Sequence, residues 1–221
     1  MTKARSRPSL LPVAAVFLLA GGLGLSTPQA GFSQTQQPSA EQAVDGQSTL
    51  DQASIEALIK QAEKLQEAGE LKAAAEIYKR LLAWSERANG PDHADTGIVL
   101  FRLGSIYAEQ GDVTKAEPLL VRELAISEKT SGPKHLDTAA SLLKLGSLYA
   151  DHNQAAKAEP LLVRALAIYE TEAGPDHADT GAALWRLGLL YQSERKYQKA
   201  EPLLIRELAI SEKALGPDHP D

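Results

Sequence analysis

The sequence predicts an all-α solenoid of antiparallel helix pairs. Three observations carry that expectation: a 42-residue self-similarity, two stretches per unit with apolar residues at helical spacing, and glycine or proline breaks between those stretches. Gly90-Pro91-Asp92-His93 recurs at Gly132, Gly174 and Gly216, and Ala116-Glu117-Pro118-Leu119-Leu120 recurs at Ala158 and Ala200. The units beginning at Gly90 and Gly174 share 27 of 42 residues. A period of this length marks units that bury their apolar faces only against their neighbours.

The amino terminus reads as an address rather than as part of the array. Lys3, Arg5 and Arg7 precede an apolar core from Leu10 to Ala20, followed by small residues, which is the layout of a secretory signal peptide over 1–30. Cleavage after Ser26, Ala30 or Ser33 satisfies the pattern comparably. The rival reading is an uncleaved anchor, against which Gly21, Gly22 and Gly24 cut the core short of the roughly 20 residues that span a bilayer. Leu19-Ala20-Gly21 is followed by Gly22 where lipid attachment requires cysteine. The same glycines lead to no Gly-Lys-Ser/Thr, so they make no phosphate loop. Export, to a periplasm or outside the cell, is the expectation. Residues 31–50 are rich in Gln, Ser, Thr, Ala and Gly and read as a flexible linker.

Residues 51–89 match the later units more loosely, with Ala62, Leu65, Gly69, Ala74, Leu82 and Trp84 at corresponding positions, so they read as a degenerate capping repeat. Full repeats follow at 90–131, 132–173 and 174–215. In each, helix A carries an apolar stripe (Leu100, Leu103, Tyr107 and their equivalents) and helix B another (Ala116, Leu120, Leu124, Ile126). Gly104, Gly146 and Gly188 lie inside helix A, where glycine costs about 1 kcal/mol against alanine. Their recurrence implies close approach of helix B, with Ala116, Ala158 and Ala200 expected as the matching small surface. The A–B turn holds Gly69, Gly111, Asn153 and Arg195 at a position suited to a left-handed residue, which Arg195 fits least well. Pro118, Pro160 and Pro202 each remove a donor early in helix B and should bend it slightly. Residues 216–221 read as the start of a truncated repeat, which would leave an apolar edge on the last helix B open to self-association.

Composition narrows the function. The net charge is −6, and loss of the three leader cations takes it to about −9, a balance that argues against nucleic acid. The absence of cysteine excludes disulfides, thiolate metal sites and a cysteine nucleophile. His93, His135, His177 and His219 fall one per unit, too dispersed to gather round one metal, and with the neighbouring Asp they read as helix starters. His152 reads as a solvated turn residue. Glu117, Glu159 and Glu201, with Arg80, Arg122, Arg164 and Arg206, form a charged stripe on helix B that reads as a solvated face with weak ion pairs. No nucleophile–base pair stands out, so no catalytic residue, metal site or cofactor is expected.

Leu103-Gly104, Tyr107 and Ala116, with their equivalents at Leu145, Gly146, Tyr149, Ala158, Leu187, Gly188, Tyr191 and Ala200, resemble the tetratricopeptide repeat. The 42-residue length and the Gly-Pro-Asp-His and Ala-Glu-Pro-Leu-Leu signatures resemble its kinesin-light-chain subtype, over residues 51–221. The resemblance implies a right-handed superhelix whose helices A line a concave, peptide-binding surface. That surface would present Ile98, Phe101, Arg102 and Ser105, then Leu143, Lys144 and Ser147, then Trp185, Arg186 and Leu189. Apolar residues beside the Arg102, Lys144, Arg186 row suit a peptide with apolar anchors and acidic groups or a free carboxylate. The competing reading places Phe101 and Trp185 in inter-repeat core and pairs the arginines with Glu123 or Glu207.

The sequence departs from kinesin light chains where those proteins grip cargo with Asn pairs, since Phe101-Arg102, Leu143-Lys144 and Trp185-Arg186 stand there. It also places Glu123 and Glu207 where a small residue such as Ala165 is usual. The expected function is a protein-binding scaffold. The alternative is a regulatory arm of a larger enzyme, such as the caspase-like hydrolases to which similar arrays are joined.

Overall fold

The structure is a computed structural model that describes residues 51–215; the expected signal peptide, linker and residues 216–221 lie outside the described residues. Eight helices follow one another: α1 (Gln52–Glu67), α2 (Leu71–Ala88), α3 (Ala94–Glu109), α4 (Val113–Thr130), α5 (Leu136–Asp151), α6 (Ala155–Glu172), α7 (Ala178–Ser193) and α8 (Tyr197–Leu215). No strand occurs among the described residues. Packing is strongest within the hairpins α3/α4, α5/α6 and α7/α8. Each second helix then packs on the first helix of the next hairpin, and α3, α5 and α7 touch only lightly. The result is the all-α solenoid expected from the 42-residue period.

Each hairpin starts with a device written in the sequence. His93, His135 and His177 are the N-caps of α3, α5 and α7. Their Nδ1 atoms accept from the backbone N–H of Asp95, Asp137 and Asp179, each at 3.2 Å. Each cap satisfies one backbone donor of the first turn, and the aspartates then sit in that turn, where negative charge is favoured. Among the described residues no three His, Cys, Asp or Glu gather as a metal site. His152 corrects the solvated reading: it caps the end of α5, its Nδ1 2.8 Å from the Leu148 carbonyl.

The A–B turns all adopt the left-handed conformation, whichever residue stands there. φ is 78° at Gly69, 74° at Gly111, 58° at Asn153 and 59° at Arg195. The closing bonds are the same in each turn, for example Asp112 N–H to Tyr107 O at 2.9 Å and Lys196 N–H to Tyr191 O at 2.8 Å. Arg195 is therefore held in a conformation its Cβ disfavours because the surrounding turn dictates it.

Between the helices lies a layer of fully buried leucines, including Leu100, Leu120, Leu142, Leu162 and Leu184. The helix-A glycines face that layer. A Cβ on Gly104 would stand 2.8 Å from Leu120 Cδ2, on Gly146 2.8 Å from Leu162 Cδ2, and on Gly188 2.6 Å from Leu204 Cδ2. This corrects the expected pairing with Ala116, Ala158 and Ala200: the glycines make room for a leucine one turn further along helix B. Pro118, Pro160 and Pro202 lie inside α4, α6 and α8, which continue through them.

Two polar devices tie successive hairpins together. Thr96, Thr138 and Thr180 are completely buried and donate to the Gly90, Gly132 and Gly174 carbonyls at 2.7–2.8 Å. Ser85 and Ser127 join the first two of these threonines at 2.9 and 3.1 Å, whereas the equivalent third position is Tyr169. Outside, the helix-B arginines are staples. Arg122 and Arg164 bond Glu86 and Glu128 of the preceding helix B and also the Pro91 and Pro133 carbonyls. Arg206 bonds Glu170 at 2.7 Å. The charged stripe is thus inter-repeat fastening as well as a solvated face.

Candidate functional site

The helix-A face collects the residues singled out from the sequence, because positions 42 apart fall in one row across α3, α5 and α7. Phe101 and Leu143 are half-buried and pack against the core; Ile98, Trp185 and Leu189 are also half-buried. Ser105 and Ser147 differ from expectation. Both are only 7% exposed, so they lie beneath the face rather than on it, and Ser105 Oγ has no hydrogen-bond partner.

The cationic row is real but not bare. Arg102 Nη2 lies 3.8 Å from Glu63 Oε1 on α1, and Arg186 Nη1 donates to Asp151 Oδ1 on α5 at 3.1 Å. The Arg186 guanidinium also sits 5.1 Å from the centre of the Trp185 ring. Pairing of these arginines with Glu123 or Glu207 does not occur. Glu123 instead accepts from Ser141 at 2.7 Å, and Glu207 from Ser211 at 2.7 Å.

Lys144, the middle cation, has no carboxylate within 4 Å among the described residues. Burial pushes its ammonium below the ordinary lysine value; Glu109 opposes this, Arg186 adds to it and Asp151 opposes it. Glu109 is itself held by Gln66 Nε2, which donates to its two oxygens at 2.9 and 3.0 Å. The face therefore carries alternating charge, with one partly desolvated cation at its centre. Sequence reasoning overlooked the acidic members, although Glu109 and Asp151 recur 42 residues apart just as the cations do.

Comparison with known proteins bears on this arrangement. A tetratricopeptide-repeat family model matches residues 54–129, 100–171 and 153–206. The chain belongs to the tetratricopeptide-repeat family. Among solved structures the array is similar to BtubC (BKLC) from P. vanneervenii, with 24% identity over 76% of this chain and 66% of that chain, less than two-thirds of its length, and a TM-score of 0.66. It is also similar to a Podosopora anserina putative kinesin light chain with nearly identical TPR-like repeats, with 25% identity, 77% and 80% coverage and a TM-score of 0.63. These likenesses show the fold. No curated relative matches the chain.

Within the array, one joint stands apart. Glu123 is 7% exposed between α4 and α5, where α6 has Ala165 and α2 has Leu81. Its Oε2 has no partner, and burial pushes its carboxyl up to about 7; the Ser141 bond opposes the rise and the Asp137 charge adds to it. Ser141 Oγ lies 2.7 Å from Glu123 Oε1 and 2.9 Å from the Asp137 carbonyl. One hydroxyl proton cannot serve both acceptors. Protonation of Glu123 would remove that competition, its own O–H then donating to Ser141 Oγ while the serine proton goes to the Asp137 carbonyl.

Proposed function

We propose that the chain is an exported protein–protein interaction scaffold whose helix-A face holds an extended or helical segment of a partner protein. Membership of a repeat family that is generally non-catalytic supports binding rather than chemistry. The observation that carries the placement is the row of half-buried Phe101, Leu143 and Trp185 beside Arg102, Lys144 and Arg186, with no carboxylate within 4 Å of Lys144 among the described residues. A partner supplying an apolar anchor and an acidic group or free carboxylate beside Lys144 meets both needs. The basic, apolar and small-residue order of residues 1–30 supports export.

Peptides bearing one aromatic anchor and one carboxylate test the reading by fluorescence anisotropy. Trp185→Ala and Lys144→Ala should each weaken binding about tenfold while far-ultraviolet circular dichroism stays unchanged. Unaltered affinity in both variants contradicts it. We also propose self-association through α8, where Leu208 is 49% exposed although the equivalent Leu166 is buried. Light scattering should show mass rising with concentration, and a constant monomer mass contradicts this.

A further inference from the structure

The three junctions between hairpins share one design, and the first lacks a part. At the second junction Tyr149 donates its hydroxyl to Glu117 Oε1 at 2.8 Å, with Lys157 over the ring and 3.2 Å from the same carboxylate. At the third, Tyr191 donates to Glu159 Oε1 at 2.8 Å, with Lys199 over the ring and Lys196 3.4 Å from Glu159. At the first junction Tyr107 and the lysine over its ring, Lys115, are both present. The glutamate, however, is replaced by Ala75, and Lys79 stands where Val121 and Val163 stand later.

The vacated place is a cavity of about 380 Å³ lined by Lys72, Ala75, Glu76, Lys79, Tyr107, Gln110 and Lys115, among others. Among the described residues the Tyr107 hydroxyl proton has no acceptor; Glu76 first and then Tyr107 raise the Lys79 ammonium above the ordinary lysine value. Gln110 Nε2, in the wall, is buried with no hydrogen-bond partner. The cavity continues into a second of about 670 Å³ along the Gly69–Ala73 and Gln110–Lys115 turns, whose acids are Glu70 and Asp112. Lys79 pairs with Glu76 at 2.7 Å and Lys115 with Asp112 at 2.5 Å. These are exposed i,i+3 pairs, weak enough for the ammonium groups to turn to a new partner. No residue of the Arg102, Lys144, Arg186 row lines either cavity.

We propose that this junction is a carboxylate-binding subsite, separate from the helix-A face, that takes from a partner peptide the carboxylate which Glu117 and Glu159 supply internally at the other two junctions. The Tyr107 hydroxyl and the Gln110 amide donate to it, and Lys79 and Lys115 supply charge. Glu76 and Asp112 confine the site to a single carboxylate rather than an acidic run. The carboxylate can come from an internal Asp or Glu side chain or from a free C-terminus.

The test uses the full chain labelled with ¹⁵N and three acetylated tripeptides: Ala-Glu-Ala amide, Ala-Ala-Ala free acid, and the neutral Ala-Gln-Ala amide. The expected result is a saturable shift of the Gln110 side-chain amide with one or both carboxylate probes and none with the neutral one. Which probe acts identifies the source. Ala75→Glu restores the internal carboxylate and should weaken the response about tenfold or more, by occupying the site. Lys79→Val installs the residue of the later repeats at an exposed position and should weaken it several-fold without altering the fold. Equal responses to charged and neutral probes, or undiminished binding in both variants, overturn the proposal.

Discussion

The α4/α5 and α6/α7 joints are built on the same plan and differ in what they bury. Both have a histidine cap, a buried threonine on a glycine carbonyl and an arginine staple from the helix B that follows. The α4/α5 joint adds Glu123 with Ser141 and Ser127 with Thr138. The α6/α7 joint replaces Glu123 with Ala165 and Ser127 with Tyr169. Recurring residues hold the solenoid together, and departures from recurrence mark where one joint acquires a property the others lack. The first of these joints buries an acid whose carboxyl is raised by that burial; the second has a small and an aromatic residue in those places.

The largest effect should come from Glu123. Its folded carboxyl titrates near 7 against an ordinary 4.5, so the native state binds the proton more tightly than the unfolded chain. The stability that this proton confers is fully present below about pH 4.5 and is lost as pH rises through about 7, a loss of about 3 kcal/mol at most. Denaturant unfolding of Glu123→Gln at pH 5 and pH 8 should lack this component. A wild-type minus variant difference that does not change between the two pH values contradicts the account.

Next comes the threonine layer. Thr138→Val leaves both the Gly132 carbonyl and the Ser127 hydroxyl without their partner, while Thr180→Val abandons only the Gly174 carbonyl. Both should destabilise by about 1–3 kcal/mol, with Thr138→Val the worse of the two. Equal unfolding midpoints would show that the serine contributes nothing. The smallest effect belongs to the exposed pair Lys129–Asp92, 3.0 Å apart. Lys129→Ala should cost less than about 1 kcal/mol and vanish in high salt. Thermal unfolding at two ionic strengths measures it.

Much of this was legible in the sequence, for physical reasons. A repeat writes its architecture several times over, so the His caps, the left-handed turn positions and the buried leucines announce themselves by recurrence. What stayed hidden depends on non-recurrence or on the relation between units. The partners of Arg102 and Arg186 are Glu63 and Asp151, 39 and 35 residues back, offsets unlike the period itself. Ser105 and Ser147 were misplaced because a small polar residue one turn from Phe101 or Leu143 fits a surface or a tight interior equally well. Ala75 carried a signal that only the Tyr149–Glu117 geometry makes readable: it is the missing member of a set.

The central claim is that the helix-A face, and not the outer face of the B helices, holds the partner. A photo-crosslinking residue at half-buried Leu143 and another at exposed Val163, each in the otherwise unchanged chain, compare the two faces directly in the cells that produce it. The account predicts a discrete crosslinked partner from position 143 that Lys144→Ala abolishes, and none from position 163. A discrete partner from 163 with nothing from 143 would contradict it.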